Sequence, residues 1–222
     1  NIETDLILSD LTRTLDVSKG KDGYTVEGRP IYTRVDSERG QRDVLLSNTS
    51  GGHTLIESLS IAKRWDTGFN ANFSYTHSDV EDRISATGTS TNTAYEYNPV
   101  IDSEHPEVGT SAFETKHRLT FSLSYSAELI SGYNSSFSMF WERKSARPYS
   151  WILGGNDEDG LSGNLDLTTA ALAYIPTGPD DPAVDFVNGI SYEEIIADLN
   201  IIGAPTSGGY LGKNAFRVPW TT

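Results

Sequence analysis

The sequence predicts an all-β protein, and within that class a fragment of an antiparallel, up-and-down transmembrane β-barrel with about six strands. Two features of the 222-residue chain carry this prediction. Several segments alternate strictly between apolar and polar side chains, and the connections between them are alternately short and long. We expect the short turns on the periplasmic side and the long loops on the extracellular side.

The alternation is clearest in residues 117–150. From Leu119 to Leu129 the odd positions are apolar and the even positions are mostly small and polar; after "SGYN" the pattern restarts with Phe137 and Met139. A period of two places these two sets of side chains on opposite faces of a strand. The segment therefore predicts two antiparallel strands joined by a hairpin turn.

A second hairpin is predicted around "DTG", residues 66–68, which is short enough for a tight turn. Residues 69–75 after it have aromatic residues and alanine at odd positions, with asparagine and serine between them. Residues 54–65 before it alternate in the same way, with two charged exceptions. A weaker strand is expected over residues 2–9, and a further one near Phe216.

Three long connections separate these strands: residues 11–41, 80–116 and 151–215. Loops of this length are uncommon in compact domains unless they carry function. In the third, Ser191 followed by Glu194 fits a capping box, which predicts a short helix. Such a helix either packs the loop against its neighbours or acts as a lid over the extracellular mouth.

A soluble β-sandwich is the competing interpretation, because its strands alternate in the same way with the apolar face buried. Besides the asymmetry of the turns, two details favour the barrel. The polar faces carry serine, threonine and asparagine with few charges, which suits a hydrated interior. Aromatic residues also gather at strand ends, as in the two interfacial girdles of membrane barrels. They are Trp65, Phe69 and Tyr133 beside the short turns, and Trp141, Tyr149 and Trp151 beside the long loops.

The composition argues against several classes. A net charge of -14 and a pI of about 4.6 argue against a nucleic-acid partner, which needs a basic surface. Cysteine is absent, which excludes a disulfide framework and a thiolate metal site in this chain. Asn1 opens a segment without the features of a signal peptide, so we expect a processed or internal piece of a longer protein. Because the predicted fold is a transmembrane β-barrel, the expected location is the bacterial outer membrane.

No enzyme activity is expected, because no catalytic constellation is apparent in the sequence. The histidines lack metal-ligand spacing, and no serine lies in a GxSxG motif. We expect the histidines to be solvated or interfacial; they are His53, His77, His105 and His117.

The segment "GGNDEDGLSGNLD" has partial similarity to a calcium-binding loop. Counted from Gly155, Asp157, Asp159 and Asp166 occupy the third, fifth and twelfth positions of an EF-hand-like pattern. The first position lacks a carboxylate and no flanking helices are predicted, so a flexible Asx-rich turn is favoured over a Ca²⁺ site. If the segment faces outward, divalent ions could also bridge it to lipopolysaccharide phosphates.

The third long connection is strongly acidic, and Lys213 is its only basic residue. An acidic extracellular mouth favours cationic or metal-complexed solutes over anionic ones. A simple solubilising surface explains the same composition. The acidic residues are Asp157, Glu158, Asp159, Asp166, Asp180, Asp181, Asp185, Glu193, Glu194 and Asp198.

Several stretches, in their order and spacing, resemble the C-terminal barrel region of Oar-like TonB-dependent outer-membrane receptors. They are "GRPIY", "LLSNTSGG", "FNANFSYTHSDVED", "NPVIDSEHPEVGTSAFETKHRLTFSLSY", "ARPYS", "YIP" and "GKNAFRVPW". The resemblance implies a barrel of about 22 strands around an N-terminal plug domain, with a segment that contacts TonB. Neither the plug nor an aromatic-ended final strand can be recognised here. Residues 1–222 are therefore expected to be one part of the barrel, with the plug and final strands outside the chain.

The resemblance implies a receptor that binds a bulky solute or peptide with its extracellular loops and passes it through the barrel. The implied partners are the TonB complex, contacted outside this chain, and outer-membrane lipid and lipopolysaccharide. Aromatic loop residues are the candidate solute contacts, because such sites combine aromatic and polar groups from several loops. They are Tyr95, Tyr97, Phe113, Tyr149 and Trp151. A soluble, adhesin-like β-sandwich and a passive porin are the alternative functions.

Overall fold

The structure, a computed structural model, describes residues 5–11, 13–35, 43–153, 171–186, 189–218 and 220. Within these residues the chain is mostly β, with thirteen strands and two helices, and every pairing between strands is antiparallel. Neither helix in the described ranges is long and apolar enough to cross a membrane. The all-β, antiparallel class predicted from the sequence is therefore confirmed.

The strands and helices follow one another along the chain with clear bounds. The strands are β1 (Asp5–Asp10), β2 (Arg13–Leu15), β3 (Tyr32–Arg34), β4 (Val44–Thr49), β5 (His53–Arg64), β6 (Phe69–Asp82), β7 (Gly109–Thr110), β8 (His117–Ile130), β9 (Tyr133–Lys144), β10 (Pro148–Tyr149), β11 (Tyr174–Ile175), β12 (Gly209–Tyr210) and β13 (Phe216–Arg217). The helices are α1 (Thr91–Glu96) and α2 (Tyr192–Ile201).

The largest sheet has the order β5-β6-β8-β9, with the short β7 paired to the end of β6. Its four long strands run up and down in chain order, and β5–β6 and β8–β9 are joined by the two short turns expected from the sequence. Gly68 and Gly132 occupy these turns with φ angles of 91° and 82°, which favour glycine. A Cβ atom on Gly68 would lie 2.2 Å from the carbonyl oxygen of Ser126, so this turn also needs glycine for space.

The strand register brings the alternating faces into line across the sheet. Phe73 lies opposite Phe121, and Phe121 lies opposite Trp141, so odd positions face odd positions except at the register shift that pairs Ile130 with Tyr133. Even positions meet on the other face, where hydroxyl and amide groups bond across strands. The bonds join Ser58 to Thr76 at 3.0 Å, Ser60 to Asn72 at 3.1 Å and Ser74 to Thr120 at 2.6 Å. The sheet therefore has one apolar and one polar face, as predicted.

Apart from Trp220, whose ring lies on His117 at the edge of the sheet, none of the described residues covers the apolar face. Ile61 and Phe137 are each 63% exposed, and Leu59 and Met139 are also exposed. The described strands form neither a closed barrel nor a second sheet packed on this face. The buried apolar cluster lies elsewhere, where Leu8, Ile84, Ala94 and Tyr95 pack together with Val44 alongside them.

The remaining strands are short and pair outside the main sheet. β1 pairs with β4, β2 with β3, β10 with β13 and β11 with β12. The strand expected over residues 2–9 is β1, which the structure describes from Asp5 onward. The strand expected near Phe216 is only the two-residue β13, too short to cross a membrane.

The capping box predicted at Ser191 is present. The Ser191 hydroxyl accepts a hydrogen bond from the Glu194 amide, and the Glu194 carboxylate accepts one from the Ser191 amide. These bonds start α2 by satisfying amides that have no partner within the helix. The predicted apolar face of α2, Ile195, Ile196 and Leu199, is half-buried, and no described residue of the helix is fully buried.

Candidate functional site: a loop cap at one end of a two-faced sheet

The long connections meet at the same end of the main sheet. The register pairs His53 with Glu81, His77 with His117, and Arg118 with Lys144, so β5 and β8 begin where β6 and β9 end. The connections form what we call the loop cap. It comprises residues 13–35, 83–116, 145–153, 171–186 and 189–218.

Arg29 fixes three segments of the loop cap to one another. Its side chain is fully buried, and its guanidinium donates to the carbonyl oxygens of Leu172 at 2.5 Å and Val100 at 3.4 Å. The ring of Tyr210 lies 5.0 Å from the guanidinium carbon, in a cation–π contact. A buried guanidinium needs such partners because burial removes its water. Arg29 therefore joins loops that are more than a hundred residues apart.

Lys213 anchors the third long connection to the end of β6. Its side chain is almost fully buried, and its ammonium lies 2.7 Å from the Asp82 carboxylate. The same ammonium donates to the carbonyl oxygens of Asp82 at 3.0 Å and Arg83 at 2.7 Å. The only basic residue of this acidic connection is thus a structural anchor that caps the end of a strand.

Glu114 and Arg217 form a second anchor beside the first. Their side chains form an ion pair, and the Glu114 carboxylate also accepts a hydrogen bond from the Val80 amide at 2.7 Å. Arg217 donates further to the carbonyl oxygen of Ala146 at 3.0 Å. The pair therefore links β6, the segment leading into β8 and the segment following β9.

Asp102 organises the turn that follows α1. Its carboxylate accepts from the Tyr32 hydroxyl at 2.7 Å, the Glu104 amide at 2.9 Å and the His105 amide at 3.2 Å. Burial, together with the hydrogen bond to Asp102 and its negative charge, raises the pKa of Tyr32. Tyr32 is therefore a neutral donor that holds the first long connection against the second.

Asp181 is the centre of another turn. Its carboxylate accepts four hydrogen bonds, from the Thr177 amide and hydroxyl at 2.7 and 2.8 Å, the Ala183 amide at 2.9 Å and the Tyr174 hydroxyl at 3.0 Å. The amides of Thr177 and Ala183 are the main reason that the pKa of Asp181 falls to about 2. This carboxylate is therefore bound internally and is not a free charge at the mouth.

The five aromatic residues nominated from the sequence all lie in the loop cap, but in different surroundings. Tyr95 is 5% exposed and belongs to the buried cluster, so a solute could reach its ring only if the cap opened. Tyr97 and Phe113 are exposed on the second long connection. Tyr149 and Trp151 contact each other with ring centroids 6.1 Å apart.

Phe216 completes the aromatic group around Tyr149, and the sequence reasoning did not assign it to a site. Its ring centroid lies 6.0 Å from that of Tyr149, because the two residues are paired between β10 and β13. The sequence signals for this segment were the strand expected near Phe216 and the motif "GKNAFRVPW". The structure thus brings together aromatic residues 67 positions apart in the sequence, Tyr149 and Phe216.

The candidate calcium ligands Asp157, Asp159 and Asp166, for which the sequence favours an Asx-rich turn instead, lie outside the described residues. In the part of the chain that the structure does describe, no group of three or more acidic, histidine or cysteine side chains could hold a metal ion.

Basic residues occupy the polar face of the sheet at both ends. Next to the loop cap, Arg118, Glu142 and Lys144 line an open cleft of about 330 Å³. The Glu142 carboxylate lies 3.1 Å from the Arg118 guanidinium and 3.7 Å from the Lys144 ammonium. Near the short turns, Arg64 lines a second cleft of about 410 Å³ and donates to Asn70 at 2.7 Å.

The apolar face is bordered by aromatic and cationic groups. Next to the loop cap, the Trp220 ring stacks on His117 at 5.2 Å, and the Arg143 guanidinium lies 5.4 Å from the same ring. Near the short turns, the Lys63 ammonium lies 5.3 Å from the Trp65 ring. Between these two borders the odd positions are predominantly apolar.

Comparisons with known proteins do not identify a family for this chain. No protein-family model, curated protein or solved structure was found to match this chain.

Proposed function

We propose that the chain forms part of the wall of a transmembrane β-barrel in a TonB-dependent outer-membrane receptor. The apolar face of β5-β6-β8-β9 would contact lipid, the polar face would line a hydrated interior, and the loop cap would face the outside. The observation that carries this proposal is the broad apolar face, whose central part no described residue covers. The assignment to the TonB-dependent class rests on the sequence resemblance alone.

The strands are long enough for this role. They contain 12 to 14 residues, whereas a tilted strand needs about 9–11 residues to cross the hydrocarbon core of a bilayer. The surplus residues lie towards the loop cap, where His53, Glu57, His77 and Asp79 replace the apolar side chains of the same face. This change from apolar to ionisable side chains supports a membrane boundary at that level.

The borders of the apolar face also support a membrane position. Aromatic rings and cationic side chains are favoured at lipid–water interfaces because their apolar parts contact lipid and their polar parts contact water. Trp220 with Arg143 would lie at the outer interface, and Trp65 with Lys63 at the inner one. This assignment also places the short turns on the periplasmic side.

A soluble β-sandwich fits the same alternation less well. In a sandwich the apolar side chains of one sheet pack against a second sheet about 10 Å away. In the described part of the chain the second-largest sheets have only two strands, and Ile61 and Phe137 remain 63% exposed. A sandwich built from the described residues alone would therefore leave this face in water, at a large cost in hydrophobic free energy.

The loop cap would supply the solute-binding surface. Its buried ionic anchors and hydrogen-bonded turns make it a preformed structure, which lowers the entropic cost of binding. Tyr97, Phe113 and Tyr149 expose their rings on it and remain our candidate solute contacts. The TonB complex would act through parts of the receptor outside this chain.

The test is a spin-label scan of β8 in the full-length protein reconstituted in lipid bilayers. The chain contains no cysteine, so labels placed one at a time at residues 119–125 are unique within it. We expect high accessibility to oxygen at odd positions and to a water-soluble nickel reagent at even positions, because oxygen concentrates in lipid. Odd positions that are shielded from both reagents, or open to nickel, would reject the barrel and favour the sandwich.

A further inference from the structure

The polar face of the sheet carries as many cationic as acidic residues, whereas the whole chain has a net charge of -14. On the even positions of the four long strands, the cationic residues are Arg64, Arg118 and Lys144 and the acidic ones are Asp82, Glu128 and Glu142. Two of the acids are already engaged by the protein. Asp82 binds Lys213, and Glu128 accepts a hydrogen bond from the Gly132 amide in the hairpin turn. Only Glu142 faces the basic residues.

The cleft beside the loop cap therefore has two cations for one carboxylate. The Arg118 and Lys144 side chains are 52% and 56% exposed, whereas the Glu142 side chain between them is 27% exposed. Arg118 uses its Nε for Glu142, and the Nη groups of a guanidinium are well placed to bind a second carboxylate in a bidentate manner. The hydroxyl group of Thr76, which is hydrogen-bonded to Ser58 at 3.0 Å, also lines the cleft.

The location of the cleft makes it reachable for a solute that has passed the loop cap. It lies at the start of β8 and the end of β9, on the face that lines the interior in the proposed barrel. Arg64 marks the other end of the same face. It is paired with Asn70, six residues along β6 from Thr76, which corresponds to roughly 20 Å.

We propose that the cleft lined by Arg118, Glu142 and Lys144 is a binding site for a carboxylate group of the transported solute. This inference rests on the proposed function, because it requires the polar face to line a path for solutes, and it specifies the chemistry of the solute. It also reverses the expectation from composition that the acidic chain selects cations. Glu142 holds Arg118 through its Nε and lies beside Lys144, which leaves the Nη groups of Arg118 for the solute carboxylate.

The experiment measures protection of individual arginines in the intact receptor purified in detergent. Phenylglyoxal modifies exposed guanidinium groups, and mass spectrometry of the peptides reports the rate at each position. The probe is the tripeptide Glu-Glu-Glu, with Gln-Gln-Gln as the uncharged control and inorganic phosphate as the second anion. We expect the acidic tripeptide to slow the modification of Arg118 severalfold and to leave Arg143, on the opposite face, unchanged.

Two variants give effects of opposite sign. Lys144→Gln removes one cation and should weaken the tripeptide affinity, taken from the concentration dependence of protection, by about tenfold, equivalent to the loss of one charge-assisted hydrogen bond. Glu142→Gln removes the carboxylate that repels the tripeptide, so this variant should bind the tripeptide more tightly. A purely structural ion pair would not make the second variant bind more tightly, and Lys144→Arg should preserve binding.

Three results would overturn the inference: no protection of Arg118, equal protection of Arg118 and Arg143, or protection by phosphate as strong as that by the tripeptide. The spin-label scan of β8 is independent of these measurements. If the alternating accessibility is found and protection is not, only the carboxylate site is rejected. If the alternation is missing, the barrel itself is rejected.

Discussion

The four long strands and the loop cap differ in which side chains they expose to the surroundings and which they bury. The sheet exposes large apolar residues such as Ile61 and Phe137 and buries few of them, while the loop cap buries charged residues such as Arg29 and Lys213. In water the first arrangement is unfavourable, and the second is tolerated only when the buried charged groups have hydrogen-bond or ion-pair partners. The contrast indicates that the two regions are adapted to different surroundings.

The sources of order differ as well. In the sheet, order comes from the continuous ladder of backbone hydrogen bonds between neighbouring strands. In the loop cap, order comes from a few side chains that bond to backbone carbonyls of distant segments, as Arg29 does with Val100 and Leu172. A region of the first kind is robust to the loss of one side chain, whereas a region of the second kind depends on individual residues.

The largest effect is expected for a charge placed on the apolar face. Leu123→Lys introduces an ammonium near the middle of the apolar band and should destabilise the folded protein in bilayers by about 2–4 kcal/mol. Ser124→Lys, the matched variant on the polar face, should cost less than about 1 kcal/mol because its side chain would reach water. The measurement is the free energy of unfolding by guanidinium chloride in lipid vesicles. Equal costs for the two variants would contradict the assignment of the faces.

The next effect concerns the loop cap alone. Arg29→Ala leaves the carbonyl oxygens of Val100 and Leu172 without their buried donor and should destabilise the cap locally by about 2 kcal/mol. Hydrogen exchange of the Leu172 and Leu153 amides should accelerate, while exchange in β8 should not change. Arg147→Ala is the control, because Arg147 is an exposed arginine of the same cap. Faster exchange in β8 as well would mean that cap and sheet unfold as one unit.

The contrast also explains which parts of the structure the sequence could predict. The four long strands, their faces and both short turns follow from a period of two and from glycine-containing turns, which are local properties. The start of α2 follows from a local signal too, since its capping box spans only Ser191 to Glu194. These elements were all correctly predicted.

The loop cap could not be predicted because its contacts are not local. Arg29 binds Leu172, 143 residues away, and Lys213 binds Asp82, 131 residues away, and no sequence period relates such pairs. For the same reason Tyr95 could not be distinguished from Tyr97, although the first is buried and the second is exposed. The pairing of Arg118 with Lys144 depends on the register of β8 and β9, which the alternation alone does not fix.

The smallest effect is expected from pH, and it should appear in the cap and not in the sheet. The hydrogen bonds to Asp181 lower its pKa to about 2, from the ordinary 3.8 of an aspartate. A carboxyl group with a lowered pKa in the folded state stabilises that state above its ordinary pKa, and the stabilisation is lost as the pH falls towards 2. The exchange of the Thr177 and Ala183 amides should therefore become less protected between about pH 4 and pH 2. The variant Asp181→Asn should abolish this change. Comparing the two proteins at each pH removes the intrinsic pH dependence of exchange. The amides of β8 are the control and should exchange alike in both proteins. A pH dependence that persists in Asp181→Asn would show that another carboxyl group controls the turn.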